Sequence, residues 1–440
     1  MNDCKTKNDL LTNDSVCHTF FYKAKRLFHW APIVALFIIF FIATVTTNCI
    51  VHICHPFSNV ICFIHFCIYV YEFYLIMNNY LNASFIGPGY VQLGWKPQVS
   101  GDKHYLQYCE ICEGYKPPRS HHCRKCDRCV MKMDHHCPWI NTCCGHFNHG
   151  YFVYFLFFAP IGCIHSTYIL GLTLYYAIYV EYFFNIDEEL IVILSLMEFL
   201  CSFFAAGLAI GVVIAVGSLW LIQLKSIMRN ETGVESWIKE KAQLRLQEHG
   251  NSGETFIYPY NLGRWANLRQ VMTWSGKCKG DGVSWAVREG CGQYDLTIEQ
   301  INQKRDKVLH SQQYEIKRAY DGSLIPLFSF GCRVAYGSPC TDEHRMPVKP
   351  GQIVMVTRWR KHWLYGQIVS VSNASTSTGS LTGHGGGDGS GTLKGRNRGW
   401  FPIVCARQFI NDDANFSLSK SDRNGNFLPS GLSPRHTKSD

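Results

Sequence analysis

The apolar residues of this chain gather into four long runs, at about residues 30–48, 58–77, 151–180 and 190–224. Each reaches the ~20 residues that a helix needs to cross the hydrocarbon core of a bilayer. The first run follows Lys23, Lys25 and Arg26. The stretch before it is long and no small-residue cleavage site follows, so it reads as a retained signal anchor. After the fourth run a helical pattern covers about 233–248 and ends at His249-Gly250. Within 330–411, short β-prone runs (Ile353 to Thr357 and Leu364 to Val369) are bounded by turn signals such as Lys349-Pro350-Gly351, the pattern of a small β-barrel. A Ser-, Thr- and Gly-rich insert at 372–395 reads as a flexible loop between two strands.

Charge orients this pattern. The segment 49–57 has no Lys or Arg, and 181–189 has none either while holding Glu181, Asp187, Glu188 and Glu189. The other connections are basic or mixed, so the positive-inside rule places both termini and the 78–150 loop in the cytoplasm. Inside the spans, Glu72 is expected at a helix end, and His65 and His165 to bond neighbouring helices. A transporter would need more ionisable residues in its spans than these.

The net charge of +9 suits an anionic leaflet or a phosphorylated cofactor. No basic stripe with interleaved aromatics is present, which sets nucleic acid aside. The chain has 21 cysteines, and eight of them fall between Cys109 and Cys144 among histidines. In a chain this long, that clustering points to metal and thiol chemistry in a reducing compartment.

Two ligand frames with identical spacing interleave there. The first is Cys109, Cys112, His122 and Cys129; the second is Cys123, Cys126, His136 and Cys143, the same frame shifted by 14 residues. Three thiolates and one imidazole suit a closed, tetrahedral, structural zinc site. Two such sites would make the loop rigid without an apolar core. A nucleic-acid zinc finger is the weaker alternative, because the loop is tethered between two spans.

Shifting Cys123 by 14 again reaches Cys137, but the next position is Ile140, so no third site closes. Cys137 is left as a free thiol beside His135 and Asp134. A cysteine with a neighbouring imidazole and carboxylate has the composition of an activated nucleophile, the imidazole taking the proton and the carboxylate orienting the imidazole. Adjacency in sequence does not by itself make the three face one another. Cys144 is a further spare thiol with an expected packing role.

The run Asp134-His135-His136-Cys137-Pro138-Trp139-Ile140-Asn141, with Lys116-Pro117-Pro118-Arg119-Ser120-His121-His122-Cys123 and Met131-Lys132-Met133 before it and Gly145 and Asn148 after it, resembles the signature of the DHHC-type protein S-acyltransferases. The resemblance covers about 23–272. It implies an acyl-CoA donor, an acyl-cysteine intermediate on Cys137, His135 as general base, Asp134 as orienting acid, two structural zinc ions on the two frames, and a lipid cavity among four helices. The substrates it implies are cytoplasmic-facing, cysteine-containing proteins near the membrane. Lys116, Arg119 and Lys132 are candidate contacts for the CoA phosphates.

Three family elements are altered or kept. An Asp-Pro-Gly motif stands here as Gly87-Pro88-Gly89. A Thr-Thr-x-Glu motif stands as Thr232-Gly233-Val234-Glu235, without its second Thr. The aromatic–Asn motif is similar to Tyr258-Pro259-Tyr260-Asn261-Leu262-Gly263 with Asn267, which would brace the catalytic domain against the helices. The region 330–411 resembles a divergent Src-homology-3 barrel through Val334-Ala335-Tyr336, Trp363 and Gly399-Trp400-Phe401-Pro402, with Cys405 where a ligand-contacting Tyr is usual. A structural or regulatory barrel fits better than a proline-peptide reader. Acyltransferases with such a barrel resemble an endoplasmic-reticulum subfamily, and Lys438 half-matches a dilysine retrieval signal.

The expected fold is therefore an α-helical membrane protein: a four-helix transmembrane bundle, a cytoplasmic two-zinc cysteine-rich domain and a C-terminal small β-barrel. The expected division is 1–29, spans 30–77, the zinc loop 78–150, spans 151–224, a cytoplasmic region 225–329, the barrel 330–411 and a disordered tail 412–440.

Overall fold

The computed structural model describes residues 25–180, 194–248, 255–341, 343–369 and 397–408. The 181–189 acidic loop, the 372–395 insert and the tail with Lys438 lie outside the described residues. Two compact units divide after Gln303.

In the first unit, four helices are long and apolar enough to cross a membrane: α1 (Trp30–Ile53), α2 (Val60–Phe85), α3 (His149–Tyr175, continued by a π-type turn at Tyr176–Val180) and α4 (Leu196–Arg229). Phe37, Ile61, Phe203 and Ile214 face outward, while small residues such as Cys49, Ala205 and Ala209 are buried between helices. Helices apolar on every side belong in an apolar solvent, and small contact residues let their backbones approach. Ser195 and Glu198 form a capping box at the start of α4, and Glu198 also accepts from Asn48 Nδ2 of α1 at 3.2 Å. At the same end a Cys54–Cys62 disulfide joins α1 to α2, which the sequence reading did not anticipate.

Glu72 is not at a helix end. It sits in the middle of α2, because α2 runs past the expected limit at 77 to Phe85. Its carboxylate lies 2.8 Å from His165 Nδ1 of α3, and the other nitrogen of that ring lies 2.9 Å from His65 Nε2. The two histidines do link neighbouring helices.

The loop between α2 and α3 has little regular structure beyond three short antiparallel hairpins: β1 (Tyr108–Cys109) with β2 (Gly114–Tyr115), β3 (His121–Cys123) with β4 (Arg128–Val130), and β5 (His135–Cys137) with β6 (Thr142–Cys144). Gly114 is needed where it stands, since a Cβ there would lie 2.6 Å from the Trp95 backbone nitrogen. Asn148 ties the loop to the bundle: its Nδ2 donates to Ala83 O and to Cys143 O, both at 2.9 Å.

After α4 come α5 (Gly233–Glu248), α6 (Arg264–Val271) and α7 (Asp295–Leu309). Thr232 and Glu235 cap α5 reciprocally. The Thr232 N–H donates to Glu235 Oε2 at 2.9 Å, and the Glu235 N–H donates to Thr232 Oγ1 at 3.3 Å. Glu235 also holds Arg119 of the loop in a two-pronged ion pair, with Nε–Oε1 at 2.6 Å and Nη2–Oε2 at 2.8 Å. Asn230 accepts two further Arg119 bonds, and the guanidinium lies over the rings of Tyr260 and Trp285 at 4.4 and 4.7 Å. Both charged side chains are wholly buried.

The second unit is a five-stranded antiparallel sheet, ordered β10 (Arg398–Pro402), β9 (Trp363–Val369), β8 (Ile353–Arg360), β7 (Gln312–Ile316), β11 (Ala406–Gln408). Its core is built on Trp363, Trp400, Phe401, Ile316 and Cys405. The first strand lies upstream of the expected boundary at 330, because Tyr314 and Ile316 supply one buried face of the sheet. Among the described residues β10 and β11 remain edges, so the sheet is not closed.

Removing one partner of a buried ion pair leaves an uncompensated charge, a cost of about 3–5 kcal/mol. Arg119→Ala is therefore expected to lower the denaturation midpoint of the detergent-solubilised protein, whereas Lys116→Ala leaves it in place. Equal midpoints for Arg119→Ala and the parent would refute this account of the latch.

Candidate active site and metal-binding loop

Each hairpin places ligands by register. In β3–β4, His122 stands opposite Cys129; in β5–β6, His136 stands opposite Cys143. The two remaining thiols of each set come from a Cys-x2-Cys turn. His122 Nδ1 lies 3.5, 3.4 and 3.9 Å from the sulfurs of Cys109, Cys112 and Cys129. His136 Nδ1 lies 3.6, 3.4 and 3.7 Å from those of Cys123, Cys126 and Cys143. Bond lengths of ~2.3 Å to sulfur and ~2.0 Å to nitrogen make the S···N edge of a tetrahedron about 3.5 Å. Both sets therefore have the spacing of four ligands around one ion, and each can hold a metal.

The second set explains the geometry of the third group of residues. Side chains alternate across a strand. In β5, His136 points to the metal set, so His135 and Cys137 share the other face. Cys137 belongs to neither ligand set. It is 4% exposed and packs with Tyr80, Cys144, Tyr151, Phe152 and Leu156. Ala35 of α1 and Trp220 of α4 pack against the same cluster, so all four long helices contribute to the apolar cluster that contains the thiol. Cys144 is fully buried in that cluster, in the packing role expected of it. Tyr80 Oη donates to Trp139 O at 2.9 Å and fixes the turn after Cys137.

Asp134 precedes the strand and is held from three directions. Its Oδ2 lies 2.9 Å from His135 Nδ1 and accepts from Gln223 Nε2 of α4 at 2.9 Å; its Oδ1 accepts from the Gly233 N–H at 3.0 Å. Burial alone would raise its pKa, but the bonds from His135 and Gln223 and the nearby imidazoles hold it well below the usual carboxylate range. The start of α5 adds the positive end of its dipole. For His135, burial alone would lower the pKa; the bonds to Asp134 and Cys137 outweigh it and push it up to about 10.

Gln223 and His149 are functional neighbours that the sequence reading missed. His149 Nε2 lies 3.1 Å from Gln223 Oε1, which orients the amide toward Asp134. The signal was a glutamine near the end of the fourth apolar run.

Two expected phosphate contacts are overturned. Arg119 is 3% exposed and spent on Glu235 and Asn230. Lys132 is 4% exposed beside the Trp285 ring, and burial pulls its pKa down to about 8. Neither reaches a solvent-borne phosphate. Lys116 is partly exposed and lines a small cleft with Gln107 and Gln300. Asn267, expected to brace the catalytic domain against the helices, bonds the end of α4 and its own segment: its Nδ2 donates to Met228 O at 2.9 Å, and its Oδ1 accepts from the Leu262 N–H at 2.9 Å.

Residues 102–240 match the family model described as DHHC palmitoyltransferase. Palmitoyltransferase ZDHHC6 of Homo sapiens is 45% identical over 397 residues, covering 87% of this chain and 92% of the relative. Palmitoyltransferase ZDHHC6 of Danio rerio is 44% identical over 415 residues, covering 91% and 96%. The probable protein S-acyltransferase 13 of Arabidopsis thaliana is 31% identical over 222 residues, covering 46% and 67%. The chain belongs to the DHHC palmitoyltransferase family. It is an enzyme, a protein S-palmitoyltransferase. At position 233, where the DHHC motif has its second Thr, the Gly233 N–H donates to Asp134 Oδ1. At Gly87, a Cβ would lie 3.4 Å from the Arg26 guanidinium, the cation nearest the place an Asp would occupy.

Gln223→Leu removes one donor from Asp134 and strands the His149 ring, at about 1–3 kcal/mol. It is expected to slow acyl-enzyme formation roughly tenfold or more, with the KM for the acyl donor unchanged. Initial rates across donor concentrations measure both; an unchanged rate would remove Gln223 from the site.

Proposed function

We propose that Cys137 carries a palmitoyl or similar long acyl group from acyl-CoA to cysteine thiols of membrane-proximal proteins. The observation that supports this most is the position of its sulfur: outside both metal sets, beside His135, and facing the apolar interior of four helices. The acyl chain lies among the helices, where each buried methylene contributes ~0.8 kcal/mol. Lys116 is the remaining candidate for the CoA phosphates.

The Cys137 thiolate attacks the thioester carbonyl. A carbon–sulfur bond forms to Cys137, the bond to CoA breaks, and the CoA thiolate leaves with the proton that His135 holds. His135 then takes the proton of the substrate thiol, which attacks the acyl-enzyme and regenerates Cys137. Asp134 keeps Nδ1 of His135 engaged, so that Nε2 faces the sulfur. Thr232, Glu235 and Asn267 act through position, by fixing the start of α5 and the end of α4.

Zinc in both four-ligand sets would supply cross-links that hold β5 rigid. The orientation we infer puts both termini and the loop in the cytoplasm, with the endoplasmic reticulum as the compartment. For the second unit we infer Src-homology-3-like topology with a regulatory or structural role. Its Cys405 is buried in the core, which argues against a proline-peptide groove there.

Cys137→Ala is expected to abolish the hydroxylamine-labile label that purified protein acquires from acyl-CoA, while elemental analysis still finds two zinc ions per chain. A label that persists on Cys137→Ala, or a zinc content that falls with it, would overturn the assignment.

A further inference from the structure

The segment after α6 folds back onto the bundle. The Lys279 N–H donates to Gln270 O and the Gly276 N–H to Thr273 O, both at 3.0 Å, and Gly276 takes φ +71°. The turn is fastened to the start of α3. Tyr154 Oη donates to Thr273 O at 3.0 Å. A Cβ on Gly150 would lie 2.3 Å from Gly276 O, so only glycine permits the approach. Tyr154 is five residues into α3, about 8 Å along its axis at 1.5 Å per residue. The turn therefore sits where a spanning helix enters the bilayer.

What the turn presents there is aromatic and cationic. Trp274 is 107% exposed and Trp265 is 75% exposed. Arg264, Arg269, Lys277 and Lys279, on α6 and on the turn that follows it, are all exposed as well. Among the described residues, none of these four cations has an ion-pair partner. The carboxylate of Asp281 is occupied by the N–H groups of Val283 and Ser284, at 2.9 and 2.8 Å. Indoles favour the membrane–water interface, and unpaired basic side chains at that depth meet lipid headgroups.

We propose that this face, Trp265 and Trp274 with Arg264, Arg269, Lys277 and Lys279, is a binding surface for anionic phospholipid. The indoles seat among the headgroups and the four cations pair with their phosphates and carboxylates. The inference rests on α1 to α4 spanning the membrane, and not on the chemistry of Cys137. A basic residue near an anionic surface favours local lipid partition on the order of fivefold.

The test uses the full chain in phosphatidylcholine nanodiscs doped with a photoactivatable lipid bearing either a phosphatidylserine or a phosphatidylcholine headgroup. Cross-linked peptides are mapped by mass spectrometry. The peptides spanning 264–279 are expected to take up the serine lipid at least tenfold more than the choline lipid. The combined variant Arg264→Glu, Arg269→Glu, Lys277→Glu, Lys279→Glu is expected to abolish that preference. All four positions are on the surface, and acyl-enzyme formation in pure phosphatidylcholine reports that the variant is folded. Equal labelling by the two lipids would overturn the proposal, as would a preference that survives charge reversal. Loss of labelling on adding soluble glycerophosphoserine would assign the face to a free anion instead, and would also overturn it.

Discussion

Successive side chains of an extended strand point to opposite faces, and at His135–Cys137 that alternation divides three residues between two tasks. His136 faces the second thiol set, while Cys137 on the opposite face packs into the interior of the bundle. A metal bound on one side would therefore fix the strand without consuming the sulfur on the other. Interleaving of the two frames repeats the device at β3, where His122 and Cys123 belong to different sets. The loop needs such bracing because so little of it is regular structure.

A polar loop cannot hold to an apolar bundle by apolar contact alone. Here the join is made by hydrogen bonds and one buried ion pair. Asn148 bonds the backbone of α2 and of β6, while Arg119 draws in the start of α5 and the residues that end α4. Burying a charge is costly unless its donors are matched. Arg119 meets that condition with Glu235, Asn230 and Tyr258, and with two aromatic faces. The same segment that satisfies it presents Gly233 to Asp134, so the latch and the oriented carboxylate share one piece of backbone.

Much of this was legible in the sequence. The helices α1 to α4 follow from run length and apolarity, and α5 covers 233–248 as its pattern indicates. The two ligand sets follow from a repeated spacing, and the arithmetic that leaves Cys137 over also isolates it in space. The rest depended on distances that no local pattern encodes. Arg119 and Lys132 looked like surface cations because charge is usually solvated; only the fold shows Glu235 and Trp285 closing over them. Glu72 looked terminal because the apolar run fades near 77, yet hydrogen bonding carries the helix on to Phe85. The strand at Gln312–Ile316 is short, and its pairing partners lie far along the chain.

The donor at residue 233 has a consequence of its own. A peptide N–H is supplied by every amino acid except proline. The grip on Asp134 Oδ1 is thus made by the main chain and does not depend on a side-chain donor at that position. A side chain added at 233 would leave that donor in place, and only a proline would remove it.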